Sequence, residues 1–217
     1  MSGGSGTGTP VTPVTNAGTR DRCRIVTPPS SFPVTLAEAK EWCRVDTGDT
    51  SQDGALNILI AAMTDYAEHL TGRSFVPRTY ELNLDAFAGQ IKLPFPPLLS
   101  VSSIAYTDIN GDAQTVAGSA YESDVVSQPG IVQPVWGQSW PSIGYGLNPV
   151  RIQYQAGYTE NGVDNSYLPG PLRMWLQARL ATIFENREQL VFNNQVEIPR
   201  NFADGALDPL IVGTRLF

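Results

Sequence analysis

Nucleophilic or metal chemistry would have very few residues to run through in this chain, which holds one histidine, His69, and two cysteines, Cys23 and Cys43. A Ser-His-Asp or Cys-His mechanism needs a histidine base. His69 falls near the end of a helix-patterned segment, where a surface or capping role accounts for it. Zinc takes three or four Cys and His ligands, and here these residue types are scattered singly along the sequence. Neither a GxxxxGK(S/T) loop nor a GxGxxG turn is present, so the glycine-rich cradles that hold phosphates are absent. The glycines of Gly144-Tyr145-Gly146 sit in a proline-rich stretch and read as loop. Carboxylates number 21, and Asp85, Asp108, Asp112, Glu122 and Asp124 share one region. Asp108 and Asp112 flank Asn110-Gly111, where Asp is favoured for local turn hydrogen bonds, and the further ligands of a calcium loop are lacking. No catalytic residue, metal site or cofactor site is expected.

Two features remain that point to contacts rather than chemistry. Trp136 and Trp140, four apart in a loop, serve either as a stacking platform for a sugar ring or as a packed contact with a neighbouring subunit or their own fold. Packing or subunit contact is the reading adopted. A carbohydrate-binding or cell-surface attachment module is the alternative. Beyond residue 200 the chain holds Phe202, Leu207, Leu210, Ile211, Val212, Leu216 and Phe217, apolar content with no length in which to build a core. That exceeds what an exposed tail tolerates, so the segment either packs back on its own domain or docks on a neighbour, and docking is the reading adopted.

Composition narrows the class further. Hydrophobic residues make up 41% and charged residues 16% of 217 residues, which describes a globular chain able to bury a core. The formal net charge is −7, with 14 Lys and Arg against 21 acids. A duplex-binding surface gathers cations to neutralise phosphates, so dedicated DNA binding is excluded as the main task. A surface past which DNA slides without being held fits the acidic balance, as does plain solubility. No apolar run approaches the ~20 residues of a membrane helix, and the N-terminus lacks the charged and apolar regions of a signal peptide. Cys23 and Cys43 lie in separate segments, with no disulfide expected.

Periodicity then supplies the elements. Residues 1–24, rich in Gly, Ser, Thr and Pro, cannot bury enough surface to offset ordering entropy and read as a flexible tail. Residues 25–75 form the first helical part. Thr35 with Glu38 makes a capping-box pattern for a short helix whose apolar face is Leu36, Ala39 and Trp42–Cys43. Side chains between Asp46 and Gln52 are expected to cap the next helix. In it Leu56, Leu59, Ile60, Met63, Tyr66–Ala67 and Leu70 recur at helical spacing before Gly72, which stops it. Residues 76–160 change to alternating runs, some six or seven short strands with a hairpin turn at Asn110-Gly111. Pro169 and Pro171 then open a third helix within 161–190, carrying Leu172, Trp175–Leu176, Leu180 and Ile183–Phe184. Leu59, Ile60, Met63, Trp175, Leu176 and Ile183 are expected to share one core. Residues 191–217 form the docking tail. The fold class is α+β: a small bundle of three main helices with an inserted antiparallel sheet or sandwich and flexible tails at both ends.

These pieces resemble, in order and spacing, the phage head–tail connector (adaptor) family in its longer form with a central β insertion. The landmarks are Val34-Thr35-Leu36-Ala37-Glu38-Ala39-Lys40, then Thr71-Gly72-Arg73, then Leu93-Pro94-Phe95-Pro96-Pro97-Leu98 before Val101-Ser102-Ser103-Ile104. Pro129-Gly130-Ile131-Val132 follows before Trp140-Pro141. Val150 to Tyr158 then leads through Leu168-Pro169 to Glu185-Asn186-Arg187-Glu188. The resemblance implies a structural protein of the virion neck, made in the host cytoplasm and assembled as a ring of about twelve copies. It implies as partners the portal protein, neighbouring adaptor subunits and a tail terminator or stopper, with DNA passing through the channel unbound and no membrane. The apolar residues between Phe202 and Phe217 become the expected portal-docking segment, and Trp136 and Trp140 the expected subunit or neck contact. It supplies no catalytic residues.

Overall fold

Thr35 opens the first helix as its spacing from Glu38 predicts. Its hydroxyl accepts from the Glu38 N–H at 3.2 Å, and the Glu38 carboxylate accepts from the Thr35 N–H at 2.8 Å, so two otherwise orphaned donors are satisfied together. This helix is α1 (Leu36–Trp42), followed by α2 (Asp53–Thr71) and, after the strands, α3 (Gly170–Glu185). The structure, a computed structural model, describes residues 20, 22–29, 31–158, 168–185 and 204–212. The Asp46–Gln52 linker does not cap α2 with a side chain: Gln52 occupies the N-cap position without such a bond. Lys40 holds the turn instead. Its buried ammonium pairs with Asp53 at 2.6 Å and donates to the carbonyls of Thr47 and Asp49.

The three helices enclose one core containing Ala39, Cys43, Leu56, Ile60, Leu172, Trp175, Leu176 and Leu180, with Leu59 and Met63 packed at its margin. Ile183 does not join it and is 36% exposed, while Trp42, Tyr66 and Leu70 also face outward. The reason is geometric. The face of α2 that its neighbours cover runs along Leu56, Ile60, Thr64, Ala67 and Thr71, narrower than the apolar stripe in the sequence. Thr64 and Thr71 lie in that face because their hydroxyls donate to the carbonyls four residues back, Ile60 and Ala67, at 2.7 and 2.8 Å. Gly72, at φ 68°, ends α2 in the left-handed conformation that glycine adopts without strain.

Among the described residues eight strands form two antiparallel sheets. They are β1 (Cys23–Thr27), β2 (Arg78–Leu84), β3 (Ile91–Leu93), β4 (Leu98–Thr107), β5 (Ala113–Thr115), β6 (Tyr121–Asp124), β7 (Gly130–Pro134) and β8 (Val150–Ala156). One sheet runs β1-β2-β8-β4-β5 and the other β3-β7-β6. Both contribute to a second core, with Leu82, Ile104, Ile152 and Tyr154 from the larger sheet and Ile91, Leu93 and Val132 from the smaller. The strands β2 and β8 pair through seven residues without a break, their inward positions alternating as a half-buried sheet requires. The fold is therefore α+β with an antiparallel sandwich beside the helices, and β1, which spans the expected boundary between the flexible tail and the first helical part, adds an edge strand. Cys23 sits against the sandwich and Cys43 in the helical core, so they form no disulfide with each other.

The end of the chain corrects one expectation. Two short 3-10 turns, Asp204–Ala206 and Asp208–Leu210, pack onto the helices, and Leu207 is only 2% exposed within their core. Leu210 lies against the same core, and the Val212 N–H donates to the Thr71 carbonyl at 2.8 Å. Leu207 is thus buried within its own fold, not held outward for a partner. Phe202, Leu216, Phe217 and the Asn186–Glu188 helix end lie outside the described residues, as do residues 1–19. Replacing Leu207 with Ala is expected to lower unfolding stability by roughly 2–4 kcal/mol in a denaturant titration, the cost of a cavity in a buried site; an unchanged midpoint would show that the side chain is not part of this core.

Candidate assembly surfaces

Between the two cores lies a joint built from the segment that leaves α2. Glu68, buried on the last turn of α2, accepts from the Phe75 N–H at 2.7 Å and pairs with the buried Arg78 of β2 at 2.9 Å. Tyr80 donates to the Ser74 hydroxyl at 3.0 Å, and Ser74 donates to the Val76 carbonyl at 2.9 Å. Arg73 reaches further. Its guanidinium donates to Gln128 at 2.6 Å, to the Tyr158 hydroxyl at 3.1 Å and to the Leu210 carbonyl, joining the β6–β7 loop, the end of β8 and the C-terminal turns. Gly157 passes so close that a Cβ would lie 2.6 Å from the backbone of Val76 and Pro77, which excludes any side chain there. Sequence reasoning used Arg73 only as a landmark and missed Glu68 and Arg78. The available signal was one acid and two arginines evenly spaced across a helix-to-strand boundary.

Burial raises the Glu68 carboxyl to about 7, although the Arg78 charge and the backbone N–H groups pull it down. The opposite holds at the hairpin. Backbone N–H groups of Asp112 and Asn110 donate to the exposed Asp108 carboxylate and hold it below the usual range. Asp108 therefore performs turn chemistry, with Gly111 at φ 91° completing the bend. His69 is exposed on the last turn of α2. Among the described residues no group of three or more His, Cys, Asp or Glu is placed to hold a metal ion. No helix among them is long and apolar enough to cross a membrane.

The two tryptophans part company. Trp140 stacks on Phe87 with ring centroids 4.8 Å apart, and its indole N–H donates to the Ala88 carbonyl at 2.6 Å. One plane and the polar edge of this ring are thus occupied, and a platform of two open faces is not formed. Trp136 is 97% exposed, and Tyr145 and Leu147 on the same long loop and Ile109 on the β4–β5 turn are exposed as well. Gly144 ties that loop to the turn through its N–H bond to the Thr107 carbonyl at 2.9 Å. Of the expected docking residues, Leu207 is buried, Leu210, Ile211 and Val212 are half-buried, and the others fall outside the described residues.

The described residues thus form two cores linked by a polar joint, with Trp136, Tyr145 and Leu147 exposed on the long loop after β7. Residues 33–129 match the model of the phage gp6-like head-tail connector protein family, which covers α1, α2 and β2 through β6. The family resemblance carried by the landmarks is thereby borne out. No curated protein sequence matches the chain. Solved structures extend the likeness beyond the family match. A chain from the neck of an empty GTA particle computed with C6 symmetry is 21% identical, with a TM-score of 0.71 over 89% of this chain and 97% of that one. A chain from the virion of a native gene transfer agent (GTA) particle is 22% identical at TM-score 0.70, and one from the neck of the native GTA particle computed with C12 symmetry is 22% identical at 0.64, with the same coverage. These likenesses establish a shared fold over more of the chain than the family match spans.

Two outcomes test the joint and the loop. In the unfolded chain Glu68 titrates near 4.5, and in the fold at about 7. Between those values the folded state holds the proton more tightly, so this group's contribution to stability falls as pH rises from about 4.5 to 7. The stability of the wild type minus that of Glu68→Gln should therefore shrink across that window in denaturant titrations; a difference independent of pH would refute the assignment. Separately, Trp140→Ala is expected to cost about 2–3 kcal/mol in thermal unfolding while Trp136→Ala costs close to nothing, and equal losses would contradict the packing described.

Proposed function

We propose that the chain is a structural adaptor subunit of the neck of a tailed phage or phage-like particle, where a ring of copies joins head to tail and extends the DNA channel. The observation that carries this reading is the connector-family match on the segment that builds α1, α2 and most of the sandwich. The shared fold with chains of GTA necks and virions, some computed with C6 or C12 symmetry, supports the same reading. Rotational symmetry of that kind fits a ring of twelve copies beneath a portal. An excess of acids over bases suits a channel wall that lets DNA pass. The role requires contact surfaces and no reaction, so the subunit acts without catalysis. It resides in the virion neck and assembles in the host cytoplasm, with the portal above and a stopper or tail terminator below. No observation on the loop of Trp136 and Trp140 favours sugar binding.

With Leu207 to Val212 committed to the fold, portal docking by the C-terminal segment is assigned to the residues after Val212, ending in Leu216 and Phe217. Native mass spectrometry of the full chain with and without the portal protein of the same particle tests the role. Ring-sized complexes are expected only with portal, and a strict monomer indifferent to portal would overturn the reading. Deleting residues 213–217 is expected to abolish portal capture without moving the unfolding temperature; retained capture would reassign the docking surface.

A further inference from the structure

Basic and acidic residues are unevenly distributed along this chain. Residues 93–150 contain no lysine or arginine, and their charged residues are Asp108, Asp112, Glu122 and Asp124. Asp108 and Asp112 bracket the β4–β5 turn, at one edge of the five-stranded sheet. The opposite edge is β1, which contains Arg24, with Arg22 just before it. Arg22 and Arg24 each pair with a carboxylate of the next segment inward, Asp85 and Glu81, yet the Arg24 side chain remains 70% exposed. Its guanidinium has five N–H donors and a single carboxylate cannot engage them all.

Both edges are also open for pairing. Among the described residues no strand lies outside β1 or β5. The Asn83 N–H donates to the Arg22 carbonyl at 3.0 Å, and the alternation of an antiparallel ladder then turns the backbone groups of Cys23 and Ile25 away from β2. Exposed Ile25 and Val26 flank that edge, which holds no lysine or proline, and its register with β2 is regular from Cys23 to Ile25 before it shifts between Ile25 and Thr27. On the other side, Ala113, Gln114 and Thr115 of β5 are all exposed, next to the exposed Ile109. A ring needs two different, complementary faces on each subunit, and these two edges differ in charge as such faces would.

We propose that neighbouring copies of this chain join edge to edge, the arginine-bearing β1 edge of one copy meeting the carboxylate-bearing β4–β5 edge of the next. The proposal rests on the ring reading above and names the surface that closes it. Opposite charges set the orientation and exclude the β1–β1 and β5–β5 pairings that would stop at a dimer.

The test uses the full chain with Arg22→Glu, Asp112→Lys and the double reversal Arg22→Glu/Asp112→Lys, all at exposed positions, with circular dichroism and thermal unfolding as folding controls. Each single reversal is expected to reduce the copies assembled on portal-bearing heads roughly tenfold, and the double reversal to restore them. If a reversal disturbs folding, the milder pair Arg22→Gln and Asp112→Asn, together with weakening of wild-type rings by added salt, reads the same contact. Single variants that assemble like the wild type, or a double variant no better than either single one, would overturn the proposal. Wild-type copies that attach to heads without touching one another would also overturn it and leave the adaptor role standing, whereas failure of the wild type to attach at all would remove that role.

Discussion

The structure depends on what happens in the ten residues after Glu68, where a helix must hand over to a strand while two separate cores are held in register. Neither core can do this alone, since each is closed around its own side chains. The buried Glu68–Arg78 pair binds the end of α2 to the start of β2, and breaking such a pair leaves an uncompensated charge in a poorly solvated place. Arg73 then gathers three distant stretches of chain onto the same point. A guanidinium suits the task because its planar fork of donors serves several acceptors at fixed angles, which an ammonium would not do.

Much of this was legible in the sequence, and the parts that were not share a cause. The capping box at Thr35, the stop at Gly72, the hairpin at Asn110-Gly111 and the strand alternation are local, so spacing alone carries them. Ile183, Tyr66 and Leu70 were misplaced because apolar character fixes which residues can be buried, while the width of the partner helices fixes which ones are. Leu207 was read as available for docking for a related reason. A short apolar tail looks the same in sequence whether it covers its own core or a partner's. The joint was illegible because its donors and acceptors lie up to 137 positions apart, and only the fold brings them together.

Family likeness and chemistry divide the molecule differently. The connector match stops at residue 129, within the β6–β7 loop, yet β8 is the central strand on which β2 and β4 both pair. The sandwich is therefore incomplete without residues that the family match does not include. Exposed bulky apolar side chains outside the two cores include Trp136, Tyr145 and Leu147 on the long loop after β7, Ile109 on the β4–β5 turn and Ile25 and Val26 on β1. Surfaces of this kind diverge between particles that share a fold, because each must fit its own neighbours while the cores need only fit themselves.

The N–H bond of Val212 to the Thr71 carbonyl brings the last described residue back to the end of α2. The same corner holds Arg20, whose guanidinium donates to the Val212 carbonyl at 3.2 Å. Chain approaching from one end and chain departing toward the other are thus knotted to a single post. Because Arg73 also donates to the Leu210 carbonyl and to Gln128, displacing either stretch of chain would disturb the joint that links the two cores.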